Sequence, residues 1–153
     1  MTAAPEKRPP RLLGGCHTTF WEHCARGELR LQRCADCGSY LWPPAPVCDG
    51  CLGEELVWTR ISGRGRVLTY CTFERAYYPE CPPPWVVILV ELDEGPWFVS
   101  NPRNIAPEQL REGLPVQATL IECEDVHGRF ALPVFEAGSR SLRRSRRAPT
   151  SVS

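Results

Sequence analysis

The chain has 153 residues, of which 42% are apolar and 24% are charged, and this is the composition of a globular protein. Its longest uninterrupted apolar run, residues 85–90, is far shorter than the roughly 18 residues that a membrane-spanning helix needs. Residues 1–11 are rich in proline and charge and contain no apolar stretch, so they do not resemble a secretory signal. We therefore expect a cytoplasmic protein with no membrane partner.

The net charge of zero conceals an uneven distribution of charged residues. The two ends of the chain contain eight of the 18 basic residues, whereas residues 14–139 contain 10 basic and 17 acidic residues, a net charge of about −7. Both ends lack apolar periodicity and are rich in proline, serine, threonine and arginine. We expect disordered tails over residues 1–13 and 139–153, the second of them rich in arginine.

A short helix is predicted before the first cysteine pair. Thr19 and Glu22 form a capping-box pattern, and Gly27 is a stop signal, so we expect a helix over residues 20–26. The next segment, residues 29–56, has turn residues at nearly every third position and too few apolar side chains for a core of its own. Something other than hydrophobic burial must hold that segment together.

Two CxxC pairs in this segment predict a zinc ribbon, with Cys34, Cys37, Cys48 and Cys51 as the metal ligands. Each pair places two thiolates on one side of a tight turn, and two facing turns complete the tetrahedron that zinc accepts. Four protein ligands leave no open position, so we expect one structural zinc in a rubredoxin-like ribbon within residues 14–56. The alternatives are two disulfides, a rubredoxin-like iron site, or cysteines that have lost their metal. Nine cysteines cannot all pair, and a reducing compartment further disfavours disulfides.

After the ribbon the sequence changes to short β-branched or aromatic segments separated by glycine or proline. The predicted strands cover residues 57–61, 66–73, 85–92, 97–101, 116–122 and 129–134, with one helical turn at residues 107–111. Five or so strands with one inserted helix suggest an OB-fold barrel over residues 57–138. The expected fold is therefore mainly β: a short N-terminal helix, a rubredoxin-like zinc ribbon and an OB-fold β-barrel.

The sequence contains no recognisable catalytic constellation, since it has neither a glycine-rich phosphate loop before a helix nor a nucleophile elbow. His127 lies in a predicted hairpin turn, and the acidic residues beside it are interpreted as a solvated strand end. The five remaining cysteines are interpreted as small buried hydrophobes: Cys16, Cys24, Cys71, Cys81 and Cys123. A weaker alternative joins Cys16 and Cys24 with His17 and His23 in a second metal site or a nucleophile–base pair.

Two binding functions remain open from the residues alone. Arginines near Tyr70 and Phe73 would suit stacking on single-stranded bases, but a net charge of about −7 disfavours a phosphate-binding groove. Aromatic residues on a proline-rich frame instead favour a protein-docking surface. The candidate interface residues are Phe20, Trp21, Tyr77, Tyr78 and Trp85. An alternative weighed equally is that such residues seal the junction between ribbon and barrel.

The order of these features resembles the zinc-ribbon/OB-fold accessory proteins that accompany thiolases and acyl-CoA aldolases, first catalogued as a domain of unknown function. The resemblance covers residues 19–135. It is carried by the cysteine pairs and by several short motifs, among them Phe20-Trp21, Gln32-Arg33-Cys34, Trp42-Pro43-Pro44, Ser62-Gly63-Arg64-Gly65, Pro84-Trp85-Val86-Val87 and Gly113-Leu114-Pro115-Val116.

This resemblance implies a subunit that completes a thiolase-fold enzyme acting on acyl-CoA thioesters, such as a thiolase, an aldolase or a hydratase. It also leaves room for a contact with acyl-CoA itself. The four cysteines are the residues that carry over as ligands, and no catalytic residue does. The expected function is therefore a non-catalytic accessory subunit, with a single-stranded nucleic-acid binder as the alternative. A third hypothesis, that the chain is itself a hydratase or acyl-transfer enzyme, rests on association only.

Overall fold

The structure is a computed structural model that describes residues 4–139. In chain order its elements are β1 (Glu6–Lys7), α1 (Cys16–Ala25), β2 (Arg30–Cys34), β3 (Tyr40–Leu41), β4 (Leu56–Arg60), β5 (Arg64–Phe73), β6 (Trp85–Leu92), β7 (Trp97–Ser100), a 3-10 turn (Pro107–Gln109), β8 (Pro115–Asp125) and β9 (Gly128–Ala137). Within this range no helix is both long and apolar enough to cross a membrane.

Strands β5 to β9 close into a barrel. Antiparallel pairing joins β6 to both β5 and β7, and joins β8 to both β5 and β9. The ring closes between the end of β7 and β9, where the Phe135 N–H donates to the Asn101 carbonyl (3.1 Å) and the Arg103 N–H donates to the Phe135 carbonyl (2.7 Å). The 3-10 turn lies between β7 and β8. Five closed strands with this connection confirm the expected OB fold.

One glycine and one bulge shape the first barrel strand. A Cβ at Gly65 would lie 2.4 Å from the carbonyl oxygen of Glu91, so only glycine lets β5 approach β6 this closely. A register shift between Val67 and Thr69 then bends β5. Its first residues can therefore pair with β8 while the rest of the strand continues along β6.

The ribbon has its own three-stranded antiparallel sheet in the order β3-β2-β4. Strand β4 was expected to open the barrel, but it pairs with β2 over five residues, from Arg30 opposite Arg60 to Cys34 opposite Leu56. Strand pairing therefore assigns β4 to the ribbon sheet and not to the barrel. Strands β2 and β3 had no clear sequence signal, because the segment that carries them is too poor in apolar residues to show a period of two.

The helix, the ribbon and the barrel share one hydrophobic core. Phe20 of α1 and Leu31 of β2 are buried in the same cluster as Val67, Ile88 and other barrel residues. Between them the Trp42 ring stacks on Phe98, with centroids 4.4 Å apart and planes at 24°. Aromatic contacts of this kind add to the free energy of burial. Trp42 and Phe20 thus seal the junction between ribbon and barrel, as one of the two interpretations of the aromatic residues expected.

Helix α1 differs in extent from the helix expected over residues 20–26. It begins four residues earlier, after Gly15, which has a positive φ of 50° and provides no side-chain cap. The capping-box pattern at Thr19 is not used, because Thr19 already lies inside the helix. The predicted stop is correct: Gly27 adopts a φ of +77°, and its N–H donates to the Cys24 carbonyl at 2.9 Å.

Residues 4–13 form an ordered arm along the barrel, and here the structure differs from the disordered tail expected over residues 1–13. Strand β1 pairs in parallel with β8, with Glu6 opposite Cys123. The Arg8 guanidinium lies 4.8 Å from the centroid of the Trp85 ring, and that of Arg11 lies 4.5 Å from Phe130. The arm is held by arginine guanidinium groups that pack on aromatic rings and not by a stripe of apolar side chains. Hydrophobic periodicity in the sequence therefore could not predict it. The tail expected over residues 139–153 lies, apart from Ser139, outside the described residues.

Candidate metal centre and docking face

The four predicted ligand sulfurs converge on one point. The Sγ atoms of Cys34, Cys37, Cys48 and Cys51 all lie within 4.8 Å of one another. The Sγ atoms of Cys34 and Cys51 are 3.5 Å apart, and those of Cys37 and Cys48 are 3.6 Å apart. A tetrahedron of Zn–S bonds of about 2.3 Å has sulfurs roughly 3.8 Å apart, whereas a disulfide needs about 2.05 Å. The residues therefore fit one tetrahedral zinc and do not form disulfides.

The two CxxC turns have matching backbone geometry. The Gly38 N–H donates to the Cys34 carbonyl and the Leu52 N–H donates to the Cys48 carbonyl, both at 2.9 Å. Both donor residues have a left-handed φ, 76° at Gly38 and 62° at Leu52. The Gly50 N–H lies 3.4 Å from the Cys48 sulfur. Backbone N–H groups near the sulfurs stabilise their thiolate form, which is the form that binds metal.

Electrostatics within the cluster favours one thiolate in the absence of a cation. Hydrogen bonds from the side chain and N–H of Ser39, and from the Cys48 thiol, lower the pKa of Cys37 to about 6. For Cys51, the Gly53 N–H lowers the pKa, but the neighbouring cysteine sulfurs, Cys34 first, and burial raise it to about 12. A second thiolate beside the first is disfavoured. A bound dication removes this conflict and lets all four cysteines ligate as thiolates.

A second candidate feature is an apolar sheet surface, which we call the outer face. It consists of side chains of β6 and β7 that alternate with buried ones, together with two exposed side chains of β5 that lie opposite β6. Its members are Trp85, Val87, Leu89, Trp97, Val99, Cys71 and Phe73. Across the sheet Val87 lies opposite Cys71, Leu89 opposite Val99, and Trp85 opposite Phe73. Trp97 is 61% exposed and Val99 is 63% exposed. Exposed apolar groups this close together are typical of an interaction surface.

The loop after β5 extends the outer face with two further aromatic rings. Tyr77 is 72% exposed and Tyr78 is 53% exposed. The Tyr77 ring meets Phe73 edge to face at 5.8 Å. Tyr77, Tyr78 and Trp85 together line a hollow of about 260 Å³ beneath this loop. The structure therefore brings three of the five predicted interface residues to one place.

Comparison with known proteins identifies the fold and the ribbon together. The family model described as "ChsH2, rubredoxin-like zinc ribbon domain" matches residues 21–57, and the one described as "ChsH2, C-terminal OB-fold domain" matches residues 58–120. A "DUF35 domain-containing scaffold protein" of Pyrococcus furiosus is 30% identical over 105 residues, which make up 64% of this chain and 73% of that protein. The chain belongs to the ChsH2 (DUF35) family.

Two further matches place this member of the DUF35 family among its relatives. A solved structure titled "Ltp2-ChsH2(DUF35) aldolase" is 34% identical, with a TM-score of 0.68, over 78% of this chain and 91% of that one. A "Probable enoyl-CoA hydratase alpha subunit" of Thermomonospora curvata is 33% identical over 132 residues, 86% of this chain. The chain spans only 40% of the length of that hydratase subunit. The family and the converging sulfurs together establish a zinc ribbon whose four clustered cysteines bind one zinc.

The other two predicted interface residues, Phe20 and Trp21, do not lie on the outer face of this DUF35 chain. Phe20 is only 2% exposed and packs within the core, so its ring is not available to a partner. Trp21 is half-buried and meets Phe130 edge to face at 5.3 Å. Its indole N–H donates to the Leu12 carbonyl at 2.9 Å. Trp21 therefore holds the arm against the barrel and leaves part of its surface exposed.

Several residues of the outer face were not found by sequence reasoning, notably Val87, Trp97 and Val99. A signal did exist. Strand β6 is apolar at the buried positions Ile88, Val90 and Leu92 and also at three of the four alternate positions, all but Glu91, whereas a strand with one solvated face alternates apolar with polar residues. Apolar residues at both sets of positions are therefore the sequence signal that this strand has an apolar outer surface.

The other cysteines of the described residues do not form a second metal site. Within residues 4–139, the four ribbon cysteines are the only group of three or more potential metal ligands whose ligand atoms lie close enough together to hold an ion. Cys24 and Cys123 are buried, as expected, and burial raises the pKa of the Cys24 thiol to about 12. The expectation of burial is wrong for Cys71, which is exposed, and only partly correct for Cys16 and Cys81.

Proposed function

We propose that the chain is an accessory subunit of an enzyme complex that processes acyl-CoA thioesters. The names of its relatives support this assignment, since one is an alpha subunit of a probable enoyl-CoA hydratase and another is the DUF35 component of an aldolase structure. The observation that carries the proposal is the outer face, an apolar surface on which Phe73, Trp97 and Val99 are exposed and Trp85, Val87 and Leu89 are half-buried.

The outer face has the character of a protein interface. Its centre is aliphatic, with Val87, Leu89 and Val99 side by side across two strands. Aromatic rings flank this centre: Trp97 on one side, and Phe73 with Tyr77 on the other. Aromatic anchors around a desolvated apolar centre are the usual arrangement of residues that dominate binding energy. A partner subunit would therefore dock on β5–β7 and on the loop over residues 74–84.

The finer proposal is that the partner is a thiolase-fold enzyme that carries out the chemistry, with this chain contributing no catalytic group. The family resemblance supports that choice of partner. Tetrathiolate zinc supports the non-catalytic role, because four cysteine ligands leave the metal no position for water or substrate. The zinc then serves to fold the ribbon, whose own core consists of little more than Cys34, Leu41 and Cys48.

The test is co-expression of the full chain with thiolase-fold enzymes encoded beside it, followed by native mass spectrometry. We expect a complex that contains both subunits and one zinc per copy of this chain. Val99→Glu places a charge at the centre of the outer face and should abolish the complex. Val57→Glu is the matched control, because Val57 is 56% exposed but lies on the ribbon edge strand β4.

Two results would overturn the proposal. One is that the chain elutes alone beside every candidate enzyme while it is folded and zinc-loaded. The other is that Val99→Glu and Val57→Glu give the same yield of complex, because docking would then not involve the outer face. Turnover of an acyl-CoA by the isolated zinc-loaded chain would contradict the non-catalytic role in particular.

A further inference from the structure

The second half of strand β5 has one unpaired edge. Its first half pairs with β8 over residues 64–66, and Val67 still bonds to the loop before β8, donating to the Leu114 carbonyl (2.9 Å) and accepting from the Gly113 N–H (2.7 Å). After the register shift, residues 69–73 pair with β6 alone. Within residues 4–139, no strand pairs with their other edge. We call residues 69–73 the free edge.

The free edge is exposed and rich in strand-forming residues. All five of its residues are exposed, and the two rings, Tyr70 and Phe73, are 44% and 38% exposed. The seven residues between Arg66 and Glu74 include no charge, no proline and no glycine. A segment of this composition forms cross-strand contacts readily, and on an open edge it is a template for pairing with another strand.

The outermost strand of the same sheet shows how this chain protects an edge. Strand β1 has only two residues, Glu6 and Lys7, and both are charged. Prolines at residues 5, 9 and 10 surround it. Short length, charge and proline are the usual means by which a sheet edge avoids pairing with another chain. The free edge of β5 has none of these protections, so we infer that another strand covers it.

The free edge is complementary to itself. A twofold axis at its middle residue, Cys71, sets two copies antiparallel and uses all five residues. Thr69 of one copy then lies opposite Phe73 of the other, and Tyr70 lies opposite Thr72. These pairs join an aromatic ring to a β-branched side chain, which is a stabilising cross-strand combination, and they bring no like charges together. A second copy supplies this matching edge by symmetry, and twofold pairing of identical surfaces is the commonest form of protein assembly.

We propose that two copies of the chain pair through the free edge, antiparallel and centred on Cys71. The two barrels then share a continuous sheet in the order β7-β6-β5-β5-β6-β7. Side chains directly opposite each other in a sheet lie on the same face, so the outer faces of the two copies join on one side of this sheet. The dimer leaves the outer faces open to an enzyme partner and does not depend on one.

The first measurement is analytical ultracentrifugation of the full zinc-loaded chain at protein concentrations up to about 0.5 mM. We expect a dimer that dissociates on dilution, because one pair of short strands forms a small interface at the weak end of protein association. At about 0.5 mM, a dimer with a Kd of about 0.1 mM would be largely formed.

Two double variants test the register of the pairing. Tyr70→Lys with Thr72→Lys places like charges opposite each other across the axis, whereas Tyr70→Lys with Thr72→Glu places opposite charges there. We expect the first to dimerise about tenfold more weakly than the second at low salt. Both variants lose the same tyrosine ring, so this loss does not enter the comparison. Val126→Lys is the control, since Val126 is 79% exposed but lies in the turn between β8 and β9.

Cys71 gives a second readout. Directly opposite residues of antiparallel strands have Cα atoms about 4.5–5.5 Å apart, within the range that a disulfide needs. Glutathione disulfide, which is reduced as two thiols are oxidised, should therefore link the copies through Cys71, and peptide mapping identifies the linked residues. Cys71→Ser should lose the link and keep the dimer. Zinc content and circular dichroism show that each variant is folded.

The proposal is overturned if the zinc-loaded chain is monomeric at about 0.5 mM, if the two double variants dimerise equally, or if the copies are linked through cysteines other than Cys71. It is also overturned if Val99→Glu abolishes the dimer, because the copies would then associate through the outer face. Slow hydrogen exchange of the free-edge amides only in a complex with a co-expressed enzyme would assign the edge to that enzyme instead.

Discussion

Leu52 occupies a backbone conformation that suits glycine. Its φ is +62°, and it follows the second CxxC pair as Gly38, with a φ of +76°, follows the first. The left-handed region costs a residue with a Cβ about 1 kcal/mol or more. The Leu52 side chain is 76% exposed, so packing within the chain does not offset this cost.

We predict that Leu52→Gly increases the free energy of unfolding of the zinc-loaded chain by about 0.5–1 kcal/mol, because it relieves the left-handed strain. Gly38→Leu should lower it by a similar amount or more. Denaturant unfolding with zinc in excess measures both. A decrease for Leu52→Gly would contradict this account and would mean that the leucine side chain stabilises the folded chain.

Asp125 anchors the arm. Its side chain is fully buried, and it accepts hydrogen bonds from the Arg11 guanidinium (2.7 Å), the Arg11 N–H (2.9 Å) and the His127 N–H (2.8 Å). Burial raises the pKa of Asp125. The hydrogen bonds from the N–H groups of Arg11 and His127 and the charge of Arg11 lower the pKa by more than burial raises it, so the pKa of Asp125 lies below its ordinary value. A carboxyl with a lowered pKa contributes stability above its unfolded pKa and loses it as the pH falls.

Asp125→Asn should therefore lower the free energy of unfolding at pH 7 by about 1–3 kcal/mol. The difference between the variant and the unchanged chain should shrink as the pH falls below about 4, where the unfolded carboxyl becomes protonated. Glu122→Gln is the control, since Glu122 and its partner Arg129 are both more than half exposed. Equal destabilisation by the two changes at pH 7 would show that the arm is not anchored through Asp125.

At the scale of elements, the zinc ribbon depends on its metal and the barrel depends on the ribbon. Cys34 and Cys48 are almost completely buried, and their small cluster includes few other apolar residues. Leu31 and Trp42 nevertheless join the ribbon to the main core of the chain. Loss of zinc should therefore destabilise the barrel as well as the ribbon.

We predict that Cys48→Ser removes the zinc and lowers the free energy of unfolding by at least about 4 kcal/mol, in a single transition that includes the barrel. Cys71→Ser is the matched control and should leave zinc content and stability unchanged, because Cys71 is exposed on the outer face. Metal analysis and thermal unfolding followed at two wavelengths measure these effects. A folded barrel in the zinc-free variant would show that the shared core does not couple the two parts.

The ribbon ligands and most barrel strands were predictable because their signals are local. Two CxxC pairs fix the ligands by spacing, and β6 has the predicted bounds because proline precedes it and a glycine-containing turn follows it. The pairing of β4 with β2 was not predictable. The residues of β4 suit a strand of either the ribbon sheet or the barrel, and only tertiary packing decides between the two. The ordered arm was not predictable for the same reason. Arg8 and Arg11 hold the arm in place by packing on Trp85 and Phe130, which are far away in sequence.

At the scale of the whole molecule, the arm bears on the nucleic-acid alternative. OB folds bind oligonucleotides on the second and third barrel strands and on the loops after the first and fourth. Here these loops are residues 74–84 and 126–127. The arm lies between them, with Arg8 against Trp85 and Arg11 against Phe130. The strands in question, β6 and β7, present the apolar outer face, so the usual site offers little to a phosphate backbone.

Any affinity for nucleic acid should therefore reside in the arginine-rich end of the chain, residues 140–153, which contain five arginines. We predict weak binding of the full chain to oligothymidylate, with a slope of log affinity against log salt of about −3.5, as expected if five arginines release counterions from a single strand. Deletion of residues 140–153 should abolish this binding, because the remaining residues 1–139 contain 13 basic and 18 acidic residues, a net charge of about −5. Fluorescence anisotropy at several salt concentrations measures both chains. Steep salt-dependent binding by the shortened chain would instead place a phosphate-binding surface on the folded part and favour the nucleic-acid alternative.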